Sequence, residues 1–235
     1  MGTRGQWLCL WCGPAFLLLF GIGFWGCAGF VPPIAPSLGA ADVAAYYQSH
    51  TTGIRLGMAI AMGGAGLIAP WVALITVLML RIRGNSPALA YTQLGAGCGG
   101  IVLLILPTLI WEITAFRPDR DPQLTLLLND MGWIMIIVPF TLATVQCLAL
   151  AAAILLDKAE TPVFPRWSGY FNVWIALLFV PGAVAVFFKT GPFAWNGIFP
   201  WWIPFASFGT WFVVMFAVLH RILRRQSLAV PAVPA

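Results

Sequence analysis

Charge is what this chain has least of. Among 235 residues there are 12 Lys or Arg, 7 Asp or Glu and 2 His, so 8% are charged, against about 25% in a soluble domain. So little polar side chain cannot cover a water-facing surface, which excludes an ordinary soluble globule. The net charge of +5 comes with no basic stripe interleaved with aromatics, which excludes nucleic acid as a partner. Ionisable groups inside the apolar segments are too scarce for a proton-coupled pump or an ion channel. Cysteine is sparse too. Five residues make no disulfide scaffold, and Cys27, Cys98 and Cys147 lie in or beside apolar runs, where Cys behaves as a small hydrophobe. Cys9 and Cys12 have CxxC spacing, but no second CxxC or His pair accompanies them and structural zinc takes four ligands. Two unpaired thiols are expected there. His50 and His220 fall at opposite ends of the fold expected below, which excludes a shared metal or a bis-histidine haem. HExxH, GxSxG, Walker and GxGxxG patterns are all missing. No cofactor or metal is implied.

What the chain has instead is apolar length. Sixty-one per cent of its residues are hydrophobic and the mean hydropathy is +0.92. Windows long enough to cross a bilayer lie near 14–31, 56–80, 88–111, 131–156, 169–188 and 200–220. The expected fold is an all-α, polytopic membrane bundle of about six transmembrane helices. Residues 1–225 form one domain, and 226–235 a short disordered tail. No internal repeat is detectable. With both termini cytoplasmic, eight basic residues (Arg4, Arg81, Arg83, Lys158, Arg166, Arg221, Arg224, Arg225) fall inside and four (Arg55, Arg117, Arg120, Lys189) outside. That distribution obeys the positive-inside rule and suits a multi-pass protein of the cell's inner or plasma membrane. Trp111, Trp133, Trp195, Trp201 and Trp202 are then expected at the outer interface, and Trp7, Trp11 and Trp167 at the inner one. The first run has a rival reading as a secretory signal with Gly26 and Ala28 before the cut, but bulky Phe24 and Trp25 beside that site disfavour cleavage.

Local signals set the boundaries. Ser86-Pro87 is an N-cap and N1 pair opening the third span. Residues 37–50 are too short and polar to cross and read as an interfacial helix, with Tyr46 and Tyr47 at headgroup level. Gly53 and Gly57, Ala59 and Gly63, and Gly95 and Gly99 have the small-xxx-small spacing of close helix contacts, expected between spans 2 and 3 or between copies of the chain. Pro70, Pro107, Pro139 and Pro181 interrupt spans 2 to 5, each removing a backbone hydrogen bond. Kinks at similar depth would leave a cavity.

The stretch from Trp111 to Asp130 concentrates what charge there is: Glu112, Arg117, Asp119, Arg120, Asp121 and Asp130. Pro118 and Pro122 stiffen it, and Asp121 suits an N-cap for a surface helix over 122–130, with Asn129 or Asp130 capping span 4. One reading is a clamp of Arg–carboxylate pairs joining spans 3 and 4. Another is a polar rim over an outward-facing cavity, with Glu112, Arg117, Arg120 and Asp130 as ligand-binding residues and Gln146 deeper. The functional expectation is a non-enzymatic membrane protein that binds or passes a small hydrophobic molecule. A structural subunit of a larger complex is the alternative, and a membrane enzyme with an outer carboxylate site is third. Partners in these readings are membrane lipids, a small hydrophobic ligand, other membrane subunits or a second copy.

Overall fold

The computed structural model describes residues 3–84 and 86–228. Among them all regular structure is helical, and six stretches are long and apolar enough to cross a membrane: Arg4–Cys27, Thr51–Met79, Pro87–Phe116, Pro122–Leu156, Arg166–Phe187 and Ile198–Leu228. The chain is a multi-spanning helical bundle. Span 1 is α1 (Thr3–Gly21) closing in a π-helical turn, Ile22–Cys27. A short α2 (Ala40–Ser49) precedes span 2, which is split into α3 (Thr51–Ala65) and α4 (Ile68–Met79). Span 3 is a single helix, α5 (Pro87–Phe116). Span 4 is split into α6 (Pro122–Ile137) and α7 (Thr141–Leu156). Span 5 is α8 (Arg166–Phe179) tightening into a 3₁₀ helix, Val180–Phe187. Span 6 opens with a π-helical turn, Ile198–Trp202, and continues as α9 (Ile203–Leu228). Residues 226–228, expected in the tail, are therefore helical, and 229–235 lie outside the described residues.

Neighbouring spans in sequence are neighbours in space, and α1 also packs on α9, so the six close into a ring. The closing seam is aromatic: Phe16 meets Phe212 at 5.1 Å, Trp11 meets Phe216 at 5.3 Å and Trp7 meets His220 at 5.2 Å between ring centroids. At the loop end, Trp195 Nε1 donates to Ile34 O at 2.7 Å and ties the 5–6 loop to the 1–2 loop. Leu8, Leu18, Leu177 and Val213 point away from the ring and are more than 60% exposed. An apolar face of that kind needs lipid rather than water around it.

The glycines work differently from the expectation. Gly53 and Gly57 pack span 2 on span 1, not on span 3. A Cβ at Gly57 would strike the carbonyl oxygen of Gly23, one at Gly23 would strike that of Gly57, and one at Gly53 would strike that of Cys27. Small residues allow this because helix association in lipid relies on close contact rather than on hydrophobic burial. In span 3 the packed glycines are Gly97, against Val72 and Gln146, and Gly99, against Leu142, while Gly95 faces open space. Ala59 and Gly63 are exposed.

Three of the four expected proline kinks coincide with breaks. At Pro70 the lost bond to Gly66 O is replaced by a shorter turn, Ala69 N to Gly66 O at 3.3 Å, and α3 ends just before it. At Pro139 the chain turns tightly, Phe140 N to Val138 O at 2.8 Å, before α7 restarts. At Pro181 the α-helix gives way to the 3₁₀ segment. Pro107 is the exception, since α5 runs through it unbroken.

A central cavity and the charged outer loop

The three breaks border one cavity of about 190 Å³ inside the ring, lined by Ile68, Pro139 and Phe179 beside them. All six spans line it, among them Phe20, Trp71, Leu104, Pro139, Phe179 and Phe205. Among the described residues the lining is aromatic and aliphatic apart from Gln146 and Cys147, with no charged side chain. Gln146 comes from α7, with its amide against the bare Cα of Gly97, where a Cβ would approach Nε2 to 2.9 Å. The Gln146 side chain makes no hydrogen bond to another described residue. One turn from Gly97 on α5, fully buried Gln93 accepts from Thr76 Oγ1 at 2.8 Å and leaves Nε2 unpaired. The indole N–H groups of Trp71 and Trp201 are also buried without acceptors, whereas Trp211 donates to Asn172 Oδ1 at 2.8 Å.

An aromatic plug covers the side of this cavity that faces the 1–2, 3–4 and 5–6 loops, the outer side in the expected orientation. On each contributing span it sits further out than the residues that line the space: Phe24 beyond Phe20, Trp111 beyond Leu104 and Trp133 beyond Ile137. Phe24 lies 5.5 Å from Trp111, Trp111 4.9 Å from Trp133, and Trp133 5.5 Å from Trp201, which itself lines the cavity. Trp111 and Trp133 have no exposed surface. They fill the ring's outer half instead of forming an interfacial belt, because six helices around a hollow need large side chains inside. Gly132 makes the room, since a Cβ there would fall on the Trp111 ring.

Helix α2 packs on α6 over this plug. Tyr47, expected at headgroup level, is wholly buried and donates to Asn129 Oδ1 at 3.2 Å, while Trp133 Nε1 donates to the same oxygen at 3.1 Å. Burial, and secondarily the nearby Tyr46 and Asp130, push the Tyr47 hydroxyl well above the ordinary tyrosine range, so it stays a donor. Tyr46 does lie near the surface, its hydroxyl 3.1 and 3.0 Å from the carbonyls of Ala28 and Gly29. Gly29 has φ +68°, a conformation that favours glycine.

The 122–130 segment is not a separate surface helix. It is the first half of α6, started by Asp121, whose Oδ1 accepts from Gln123 N at 2.8 Å and from Leu124 N at 3.4 Å. Asn129 therefore serves the buried network rather than a cap. Ser86 caps α5 as expected, accepting from Ala88 N at 3.2 Å.

The charged loop is a clamp, but its guanidinium bonds go to backbone. Helix α5 leaves its last four carbonyls without helical donors. Arg120 Nη2 reaches Ile113 O at 3.2 Å, and Arg55 takes Ala115 O at 3.1 and 2.9 Å and Phe116 O at 2.8 Å. Arg55 also lies 5.8 Å from the Phe116 ring centroid. Cations suit this end because the helix dipole is negative there. Gln48 Nε2 adds a bond to Pro118 O at 3.1 Å. Replacing Arg55 with alanine is expected to cost about 1–2 kcal/mol, the scale of charge-assisted bonds in a partly exposed setting. Lysine should restore only part of it, because its ammonium, though it has three donors, lacks the pre-organised planar fork that spans both carbonyls. A thermal melt of the three purified proteins measures this, and equal melting of wild type and Arg55→Ala would refute the capping role.

Of the five residues expected to bind a ligand, only Gln146 lines the cavity. Arg117 is the exposed residue that ends α5, and Arg120 caps that helix. Glu112 lies on its last turns, half-buried. Asp130 accepts from Asn129 Nδ2 at 3.3 Å beside the α2–α6 network. These four gather at the outer end, beyond the plug. Sequence reasoning missed Arg55, sixty residues from the carbonyls it holds, and the inward role of Trp111 and Trp133. The cysteines are free, and Cys12 Sγ bonds to Leu8 O at 3.3 Å. Among the described residues no group of three metal-ligating side chains occurs. No family model, no curated protein and no solved structure matches this chain.

Proposed function

We propose that this protein binds a small hydrophobic molecule in the central cavity, as a carrier or receptor rather than an enzyme, in a cell's inner or plasma membrane. The observation that carries the reading is a hollow of about 190 Å³ at the centre of the ring, lined by every span. A well-packed bundle keeps few voids larger than water, and an apolar protein cavity of roughly 150 Å³ is enough to hold benzene. Helix breaks in spans 2, 4 and 5 at the cavity's depth favour the same reading, since irregular backbone within a membrane is tolerated where it faces protein or lines a cavity. With the aromatic plug in place the ligand reaches the site from the bilayer, where hydrophobic molecules concentrate. The charged outer loop holds α5 and α6 over it.

Solvent extraction and mass spectrometry of the protein purified in mild detergent tests this. The wild type is expected to carry one enriched neutral small molecule, and Ala143→Phe, which places a ring at the cavity wall, should lose it while melting as the wild type does. Gly100→Leu, where a Cβ meets nothing within 4 Å, serves the same purpose if the first variant folds poorly. Recovery of bulk phospholipid alone from the wild type would sink the reading.

A further inference from the structure

The lining also describes the ligand. Resting on the cavity reading above, we propose that the bound molecule is uncharged, about the size of one substituted ring, and carries a single carbonyl or hydroxyl that Gln146 recognises. Charge is excluded by the walls: an ion transferred into an apolar site without a partner loses hydration that nothing there replaces. Size follows from volume, since about 190 Å³ exceeds the roughly 150 Å³ benzene cavity by a few substituent atoms. Shape follows from Phe20, Trp71, Phe140, Phe205, Phe208 and Phe212, which supply ring faces and edges to a flat molecule.

The polar group follows from elimination among the amide and indole groups of the lining, the Cys147 thiol being only a weak donor. Trp211 spends its N–H on Asn172, and the N–H groups of Trp71 and Trp201 are covered by protein. The Gln146 amide lines the space with no side-chain hydrogen-bond partner among the described residues, and Gly97 gives it room. It offers two donors and an acceptor, so a carbonyl can accept from it and a hydroxyl can do either. Gln146 would thus discriminate a ligand that bears the group from its hydrocarbon analogue, by about tenfold for one hydrogen bond in a desolvated site.

The experiment uses the full chain in detergent with two probes of nearly the same shape, toluene and p-cresol, followed by tryptophan fluorescence and expressed per concentration partitioned into the micelle. Wild type is expected to bind p-cresol about tenfold more tightly. Gln146→Leu should bring the two together while keeping the toluene affinity, and Gln146→Met replaces it should the leucine variant fail to fold. Equal binding by the wild type, or a p-cresol preference that survives in the variant, overturns the role of Gln146 and leaves the cavity reading intact. If neither probe binds the wild type, the cavity reading fails and this inference goes with it.

Discussion

Gly57→Ala is expected to lower the stability of the bundle by about 3 kcal/mol or more, and Gly57→Leu to prevent folding. Overpacking a filled site costs about 1–3 kcal/mol when side chains can shift. Here the first obstacle is the Gly23 carbonyl, with Ala28 N at 3.0 Å and the Cys27 Cβ at 3.1 Å behind it. Backbone cannot change rotamer, so spans 1 and 2 must separate, and the upper end of the range applies. Separation would also withdraw Phe24 from the plug. Gly63 is the control on the same helix. Its Cβ direction is open, so Gly63→Ala should be neutral or stabilising by up to about 1 kcal/mol through helix propensity alone. Opposite signs for the two substitutions in one thermal-shift series are the expected result. A loss shared equally by both would show that the close approach at Gly57 is not what matters.

Asn129→Leu is expected to cost about 2–6 kcal/mol. Its side-chain oxygen is the acceptor for both the Tyr47 hydroxyl and the Trp133 indole, and each buried donor left unpaired costs about 1–3 kcal/mol. Single polar contacts between membrane helices average only about 0.6 kcal/mol. The larger figure applies because two donors are stranded at once at a fully buried position. Tyr47→Phe removes one of those donors, so the double variant should recover a good part of the loss, and a double-mutant cycle by thermal melting reads the coupling. Additive losses would show that Tyr47 and Asn129 do not depend on each other.

Much of the architecture is legible in composition and spacing. Near-absence of charge demands lipid, and the apolar runs then number the spans. The residues at Ser86 and Asp121 announce their caps because capping is local. Pro139 and Pro181 mark real breaks, but Pro107 does not, because whether a helix breaks at proline depends on what its neighbours supply to the freed carbonyl. The glycines show the same limit: "GAGCGG" offers several faces, and only the positions of Val72 and Gln146 select Gly97. Tryptophan misleads for a related reason. A helix in lipid is apolar on every side, so no periodicity separates Trp202, 43% exposed, from the wholly buried Trp133. Gln146 could be found as the deepest polar residue. Arg55 could not, since its purpose appears only when a helix terminus from elsewhere arrives beside it. The charged stretch is conspicuous in sequence, yet it mostly secures backbone, and the space able to hold a molecule lies where the sequence is plainest.

The seam between spans 1 and 6 fixes when that space comes into being. A growing polypeptide leaving the ribosome inserts its helices in order, and Trp195 meets Ile34 only at a sequence separation of 161 residues. Without α9, the remaining five spans would leave the ring open along one side, since α9 packs on both α1 and α8. On the binding role proposed above, loading of a ligand belongs to the finished protein, and a chain cut short before residue 198 should be membrane-inserted yet empty.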